Sequence, residues 1–276
     1  MLLWVAYDGK MRASFTETLT ELDGVSVSVK RFDGTGPASG RDFVLVHGVG
    51  MSSRYFHPLA TELAAQGTVW VIDLPGYGAS PRPRDAAGHL REMTIADHAD
   101  ALGRWITAAG ISDPVLVGHS MGCQVVTRLV VDAPATSDRV VLIAPTINPE
   151  ARTLYQQSKK LAYDGMLEST PVNFILVTDS MFRAGPRYFF HQLRHLLTDR
   201  IEDRLPQVAA KTLVIVGEDD PIVPVEWASL VSRLVQRGRL LVTDGPHIVM
   251  YRRAKEIAPQ IVQHAMPDHA SVPRAS

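Results

Sequence analysis

Pro114-Val115-Leu116-Val117-Gly118-His119-Ser120-Met121-Gly122 is the stretch that decides how this chain is read. The run before Gly118 is apolar on both faces, as a buried strand is, and Met121 to Val131 reads as a helix. A strand ending in G-x-S-x-G that turns at once into a helix is a nucleophile elbow. The serine sits on a strained turn, so its hydroxyl stands clear of the backbone. Gly118 and Gly122 are required because a side chain at either position would collide where strand and helix pass closely. The helix that begins at Met121 also offers N–H groups without intrahelical partners, and the positive end of its dipole, to a developing oxyanion.

On either side of the elbow the chain alternates strand-like and helix-like segments. Residues 15–32 alternate polar and apolar about Asp23-Gly24, a turn pair suited to a β-hairpin. Short apolar runs follow at 43–46, 69–72, 115–117, 140–143, 213–216 and 240–242, each predicting a buried parallel strand. Helical segments at 55–66, 94–109, 121–132, 225–237 and 250–264 lie between and after them. Strand and helix in alternation predict an α/β fold, a doubly wound and mostly parallel sheet with the hairpin at one edge. The alternation breaks between Ala144 and Lys211, where only helical candidates occur, around 149–166, 171–183 and 186–199. Such a stretch is too long for a crossover loop. It predicts a helical cap inserted at the carboxyl edge of the sheet, where α/β folds place their ligands. The expected division is a core of 1–145 and 211–276 with a cap of 146–210.

A serine hydroxyl needs a base within reach, itself oriented by a third group. The run Leu213–Val216 ends in Gly217-Glu218-Asp219-Asp220-Pro221, which puts carboxylates just past a strand end. The next run ends in Thr243-Asp244-Gly245-Pro246-His247, which puts an imidazole on the following loop. Ser, then Asp, then His is the chain order for this elbow on this architecture. Asp219 and Asp220 both fit, and either could instead cap the turn before Pro221. His119 points the wrong way to act on its neighbour's hydroxyl and reads as a packed residue.

Composition sets the outer bounds. The 276 residues suffice for one large domain with an insertion, and 46% hydrophobic with 21% charged residues is ordinary for a globular enzyme. A formal net charge of −1 gives no electrostatic reason for a nucleic-acid partner. A single cysteine, Cys123, rules out an internal disulfide and suits a reducing cytoplasm. The N-terminal stretch lacks a basic region followed by an apolar one, and no apolar run approaches the roughly 20 residues that cross a bilayer. A cytoplasmic enzyme with no membrane association is expected.

Two other motifs in the chain suggest different chemistry. Gly48-Val49-Gly50-Met51-Ser52-Ser53 followed by Asp73 imitates a dinucleotide fingerprint, but Ser53 replaces the third glycine. His191 and His195 could share a helix face and a metal, yet no glutamate follows His191 and no third ligand is evident, so no metal is expected.

With its loops in order, the chain resembles the α/β-hydrolase superfamily in its capped, single-domain form, over residues 15 to 265. The resemblance rests on the elbow and on Leu45-Val46-His47-Gly48-Val49-Gly50-Met51-Ser52-Ser53. It rests equally on Asp73-Leu74-Pro75-Gly76-Tyr77-Gly78-Ala79-Ser80, Gly217-Glu218-Asp219-Asp220-Pro221 and Gly245-Pro246-His247. It implies a catalytic triad of Ser120, Asp220 and His247, the carboxylate falling three residues after the glycine that ends its strand. It also implies an oxyanion hole from the backbone N–H groups of Val49 and Met121. Cys123 stands where many members have glycine, which would crowd the elbow helix. One His-Gly pair without an H-G-G-G run argues against the lipase branch that uses it.

The expected activity is hydrolysis of carboxylic esters through an acyl-enzyme, with no metal or organic cofactor. Alternatives on the same residues are a C–C bond hydrolase of vinylogous diketones, a lactonase, an amidase or a thioesterase. Serine at 120 argues against haloalkane and epoxide hydrolysis, which use a carboxylate there. A small-molecule receptor that keeps a hydrolase pocket is the non-enzymatic alternative. Tyr155, Phe174, Met181, Phe182, Tyr188, Phe189 and Phe190 load the insertion with aromatic and sulfur side chains, mostly for its own packing against the sheet domain. Some of them roof the cleft, which suggests a small-molecule substrate with an apolar portion. Met181 and Phe182 are the substrate-binding candidates.

Overall fold

The computed structural model describes residues 14–35, 41–85, 87–180 and 185–267. Among them eight strands form one sheet, in the order β1-β2-β4-β3-β5-β6-β7-β8. β1 (Phe15–Leu22) and β2 (Val25–Phe32) form the antiparallel hairpin. Its turn residues Asp23 and Gly24 both take positive φ, 45° and 87°. A two-residue hairpin turn that follows the strand twist demands that region, and Asp-Gly tolerates it. β2 pairs antiparallel with β4 (Val69–Asp73). The remaining neighbours run parallel: β3 (Phe43–Val46), β5 (Val115–His119), β6 (Arg139–Ile143), β7 (Lys211–Gly217) and β8 (Gly238–Thr243).

β3, β5 and β6 are buried along their whole length, as their doubly apolar runs require. β8 departs from that expectation. It is half exposed, with Val242 at 41% exposure, because it closes the sheet and has a neighbouring strand on one side only. α2 (Ile95–Ala108) opens with a complete capping box, in which Thr94 and Asp97 satisfy each other's backbone N–H groups. α3 (Met121–Asp132) follows the elbow. The segment read as one helix over 55–66 is a 3₁₀ turn (Ser53–Phe56) leading into α1 (His57–Leu63), which carries Pro58 in its first turn.

Among the described residues, the gap between β6 and β7 holds α4 (Leu154–Leu167), α5 (Thr170–Val177) and α6 (Pro186–Thr198). Thr153 and Gln156 form a second capping box at the start of α4. α7 (Ile201–Arg204) and a 3₁₀ turn (Leu205–Gln207) lead back to β7. Ile201 and Leu205 are fully buried, and α7 packs on α3, so this last stretch belongs with the layer around the sheet. α8 (Val225–Leu234) follows β7. β8 is followed by α9 (Val249–Arg252) and α10 (Ala254–Ala265), separated at Arg253, where the sequence predicted one helix.

The aromatic load of the insertion divides three ways. Tyr188 and Phe189 are buried, as expected of side chains that pack the insertion against the sheet domain, whereas Tyr155, Phe174 and Phe190 are exposed and do not serve that packing. Met181 and Phe182 lie outside the described residues. Tyr188 donates from its hydroxyl to the Pro75 carbonyl at 2.8 Å. A Cβ on Gly50 would meet the Phe189 ring at 2.7 Å. α6 thus lies on the loops that leave β3 and β4.

Candidate active site

β5 and α3 meet at Ser120, whose φ of 54° and ψ of −119° lie where a residue with a Cβ is strained. Its neighbours hold it there: the Ser120 N–H donates to the Ile143 carbonyl at 3.0 Å, and the Cys123 N–H to the Ser120 carbonyl at 3.0 Å. The two elbow glycines meet the requirement read from the sequence. A Cβ on Gly118 would lie 2.6 Å from the Gly122 carbonyl oxygen, and one on Gly122 only 2.2 Å from that of Val46. Both obstacles are backbone, which cannot rotate away. Gly122→Ala is therefore expected to destabilise the protein by at least about 1–3 kcal/mol, the usual cost of overpacking. Thermal unfolding of the variant checks this, and an unchanged Tm would refute it. The Cys123 thiol is buried within hydrogen-bond reach of the carbonyls of Gly118 at 3.2 Å and Ile143 at 3.3 Å.

The carboxylate and the imidazole come from the loops after β7 and β8. Asp220 is buried and Asp219 exposed. Asp220 Oδ1 accepts from the N–H groups of Ile222 at 2.8 Å and Val223 at 2.9 Å, and Oδ2 accepts from His247 Nδ1 at 2.7 Å. With Nδ1 donating, Nε2 is the ring atom free to take a proton from a hydroxyl. Ser120, Asp220 and His247 are 7%, 5% and 5% exposed, so the three groups sit away from bulk water. Burial alone would lower the basicity of His247. The charge and hydrogen bond of Asp220, together with the charges of Asp164 and Glu168, outweigh it and push the imidazole pKa up to about 9.

The oxyanion candidates flank the serine. Met121 is the first residue of α3. Val49 lies in a turn that the Met51 N–H closes onto the Gly48 carbonyl at 3.3 Å. A Cβ on Gly48 would stand 3.0 Å from Ser120 Cβ, so this loop runs directly against the nucleophile candidate. His47 holds the loop from beneath, accepting from the Leu74 N–H at 3.0 Å and donating to the Gly48 carbonyl at 2.8 Å. Burial lowers its pKa and keeps the ring neutral, as one acceptor and one donor nitrogen require.

His119 is packed, as read from the sequence, but it also makes a connection the sequence does not reveal. The Gly48 N–H donates to the Tyr55 hydroxyl at 2.9 Å, and that hydroxyl bonds His119 Nδ1 at 2.8 Å. His119 Nε2 in turn donates to the His247 carbonyl at 3.2 Å. One buried chain of hydrogen bonds thus ties the loop before Val49 to the elbow and to the histidine loop. Sequence reasoning missed Tyr55 because it sits in an ordinary apolar helical pattern. It also missed Asp164 and Glu168, which accept from the backbone N–H groups of His247 at 3.1 Å and Ile248 at 2.8 Å. Two carboxylates four residues apart on one helix repel each other, and that was the signal available in the sequence.

The competing motifs take structural roles. Asp73, the residue that a dinucleotide would need, is fully buried and accepts from the N–H groups of Ser53 at 2.6 Å and Ala79 at 2.9 Å. Burial would raise its pKa, but the Lys30 ammonium, 3.4 Å away, and the two N–H groups hold it below the usual carboxylate range. His191 and His195 do share a helix face. They meet the two oxygens of Glu92, at 2.8 and 3.4 Å, as a contact between the insertion and the loop before α2. Among the described residues no group of three potential ligands could hold a metal ion. No helix among them is long and apolar enough to cross a membrane.

Comparison with known proteins bears on the family and the fold. The chain is 29% identical over 231 residues to a pimeloyl-[acyl-carrier protein] methyl ester esterase of Aeromonas salmonicida, an alignment covering 72% of this chain and 83% of the relative. Among solved structures it is similar to an enol-lactonase of Burkholderia xenovorans, with a TM-score of 0.74 at 18% identity, covering 90% of this chain and 99% of the other. A thermophilic esterase of Thermogutta terrifontis is comparably similar, with a TM-score of 0.72 at 21% identity, covering 91% and 97%. The model of the alpha/beta hydrolase family matches residues 43–260, most of the chain, and on that match the chain belongs to the alpha/beta hydrolase family.

Proposed function

We propose that this protein is a serine hydrolase of carboxylic esters, with Ser120 as nucleophile, His247 as general base and Asp220 as its orienting carboxylate. The observation that carries the reading is the 2.7 Å bond from His247 Nδ1 to a buried Asp220 that two further N–H groups hold in place. In this reading Nε2 takes the Ser120 proton as Oγ attacks the acyl carbon. The N–H groups of Val49 and Met121 stabilise the oxyanion, and the imidazolium returns its proton to the departing alkoxide. Water, deprotonated by the same nitrogen, then releases the acid and restores the serine. No metal or organic cofactor takes part. The ester preference follows the Aeromonas relative, which is named for a methyl ester esterase activity. The helical insertion acts as a cap over the site, and Met181 and Phe182 are proposed to line its apolar acyl pocket.

A panel of p-nitrophenyl esters of graded acyl length, run beside a vinylogous diketone, tests the reading. Turnover of the esters with the diketone untouched is the expected result. Cleavage of the diketone alone would keep the nucleophile and discard the ester assignment. Binding without turnover, together with a ligand-dependent change in partner binding, would favour the receptor. The pH profile is a further expectation. Only neutral imidazole accepts the serine proton, so activity is lost as pH falls through the raised pKa of His247. The acid limb of kcat/KM should have its midpoint well above the ~6.5 of free imidazole. A midpoint at or below that value would refute the electrostatic account of the site.

A further inference from the structure

α4 has an unusual inner face. A surface helix normally buries an apolar stripe, but the buried residues of α4 are Gln157 and Asp164, and Glu168 at its C-cap is buried as well. Asp164 is 2% exposed and Glu168 8%. Two carboxylates taken out of water cost free energy unless hydrogen bonds compensate them. Both find their compensation on the histidine loop. Asp164 Oδ1 accepts from the His247 N–H at 3.1 Å, and Glu168 Oε1 accepts from the Ile248 N–H at 2.8 Å. One turn earlier on the same stripe, Lys160 Nζ donates to the Ile222 carbonyl at 3.4 Å. Ile222 is the residue whose N–H holds Asp220. Residues 160, 164 and 168 thus lie at a spacing of one helical turn, and each reaches a loop that carries a triad member.

We propose that Asp164 and Glu168 are positioning residues for His247: from the helical insertion they fix the backbone of the histidine loop and supply negative charge that sets the basicity of the imidazole. This rests on the triad reading. The charged and titratable groups facing His247 are Asp220 from the loop after β7, His119 from the elbow, and Asp164 and Glu168 from α4. Those facing Glu168 are Asp164, His247 and Arg252 of α9. Burial raises the Glu168 pKa to about 7, so its charge is present through the alkaline range in which His247 titrates. Glu168 Oε2 is buried without a hydrogen-bond partner among the described residues, which leaves the charge poorly screened. The base is thereby coupled to the insertion, and a shift of α4 away from the sheet would break both backbone bonds and weaken the imidazole as a proton acceptor together.

The test is the second-order rate of fluorophosphonate labelling against pH for the wild type, Glu168→Gln and Glu168→Ala, with unfolding temperatures measured alongside. Gln at 168 is isosteric and still offers an oxygen to the Ile248 N–H, so the fold and the loop position are kept and only the charge is lost. The midpoint of its acid limb should fall by about one unit, with the alkaline plateau within about twofold of wild type. Ala removes the charge and the bond together, so the midpoint falls likewise and the plateau drops by about tenfold or more. An unchanged midpoint in Glu168→Gln would overturn the proposal, even if its Tm fell, because a merely structural contact would not move the titration of the base. The triad reading fails separately: in that case the wild type is not labelled at Ser120, or the label persists in Ser120→Ala.

Discussion

Ser120→Ala is expected to abolish fluorophosphonate labelling and to lower kcat on any accepted ester by several orders of magnitude, on the order of 10⁶ where such a series has been followed in a serine hydrolase. In the proposed mechanism the effect is large because the Ser120 hydroxyl is the atom that would bond to the acyl carbon. Neither the proposed oxyanion donors, Val49 and Met121, nor the imidazole could substitute for it. The fold should survive, since Ser120 contributes only backbone bonds to the elbow, from its N–H to Ile143 and from its carbonyl to Cys123. Alanine in fact retains a Cβ in the same strained turn, so the Tm should stay near that of the wild type. The measurement is mass-spectrometric detection of the phosphonylated peptide with turnover on the ester panel. A residual label on another residue in the variant would move the nucleophile elsewhere.

Asp220→Asn should cost roughly 10⁴ in kcat, the scale seen when a triad carboxylate becomes an amide. Three donors converge on this carboxylate: His247 Nδ1 at 2.7 Å and the N–H groups of Ile222 and Val223 at 2.8 and 2.9 Å. An amide oxygen can satisfy the two backbone donors, but its NH₂ then faces Nδ1. The ring must present a lone pair there and carry its proton on Nε2, which cannot then accept from a hydroxyl. The charge that raises the basicity of His247 disappears as well. Asp219→Asn is the control. Asp219 is exposed and contributes its backbone N–H to the Gly245 carbonyl at 3.2 Å, a bond that the substitution leaves intact. Near-normal turnover by Asp219→Asn beside the collapse of Asp220→Asn is the expected pair of results. The reverse pair would transfer the orienting role to Asp219.

Much of this architecture is legible from local patterns. The doubly apolar runs mark the sheet because strands covered on both faces leave no polar side. The elbow is readable because only glycine fits where the Val46 and Gly122 carbonyls pass within 2.2 and 2.6 Å of the would-be Cβ positions. β8 misled the reading because Leu240-Leu241-Val242 looks like an interior strand. Its exposure depends on its being last in the sheet order, which a run of residues does not record. The insertion was legible as helices, but not in its packing, since an exposed Phe174 and a buried Phe189 occupy similar helical patterns.

The sequence alone therefore determined the strand order along the chain, the elbow, and the succession of serine, aspartate and histidine at strand ends, because each is written in neighbouring residues and their spacing. It left Asp219 and Asp220 both possible until the likeness to a family was used. The tertiary structure placed Asp220 inside and Asp219 outside, through the course of the loop after β7. It also placed Tyr55 and His119 between Gly48 and His247, and Asp164 and Glu168 against the histidine loop. Apart from the local bond between Gly48 and Tyr55, these contacts join residues 64 to 128 positions apart in the chain. A hydrogen bond across such a separation has no local signature, because it exists only once the sheet has brought its loops to one edge and the insertion has folded over them.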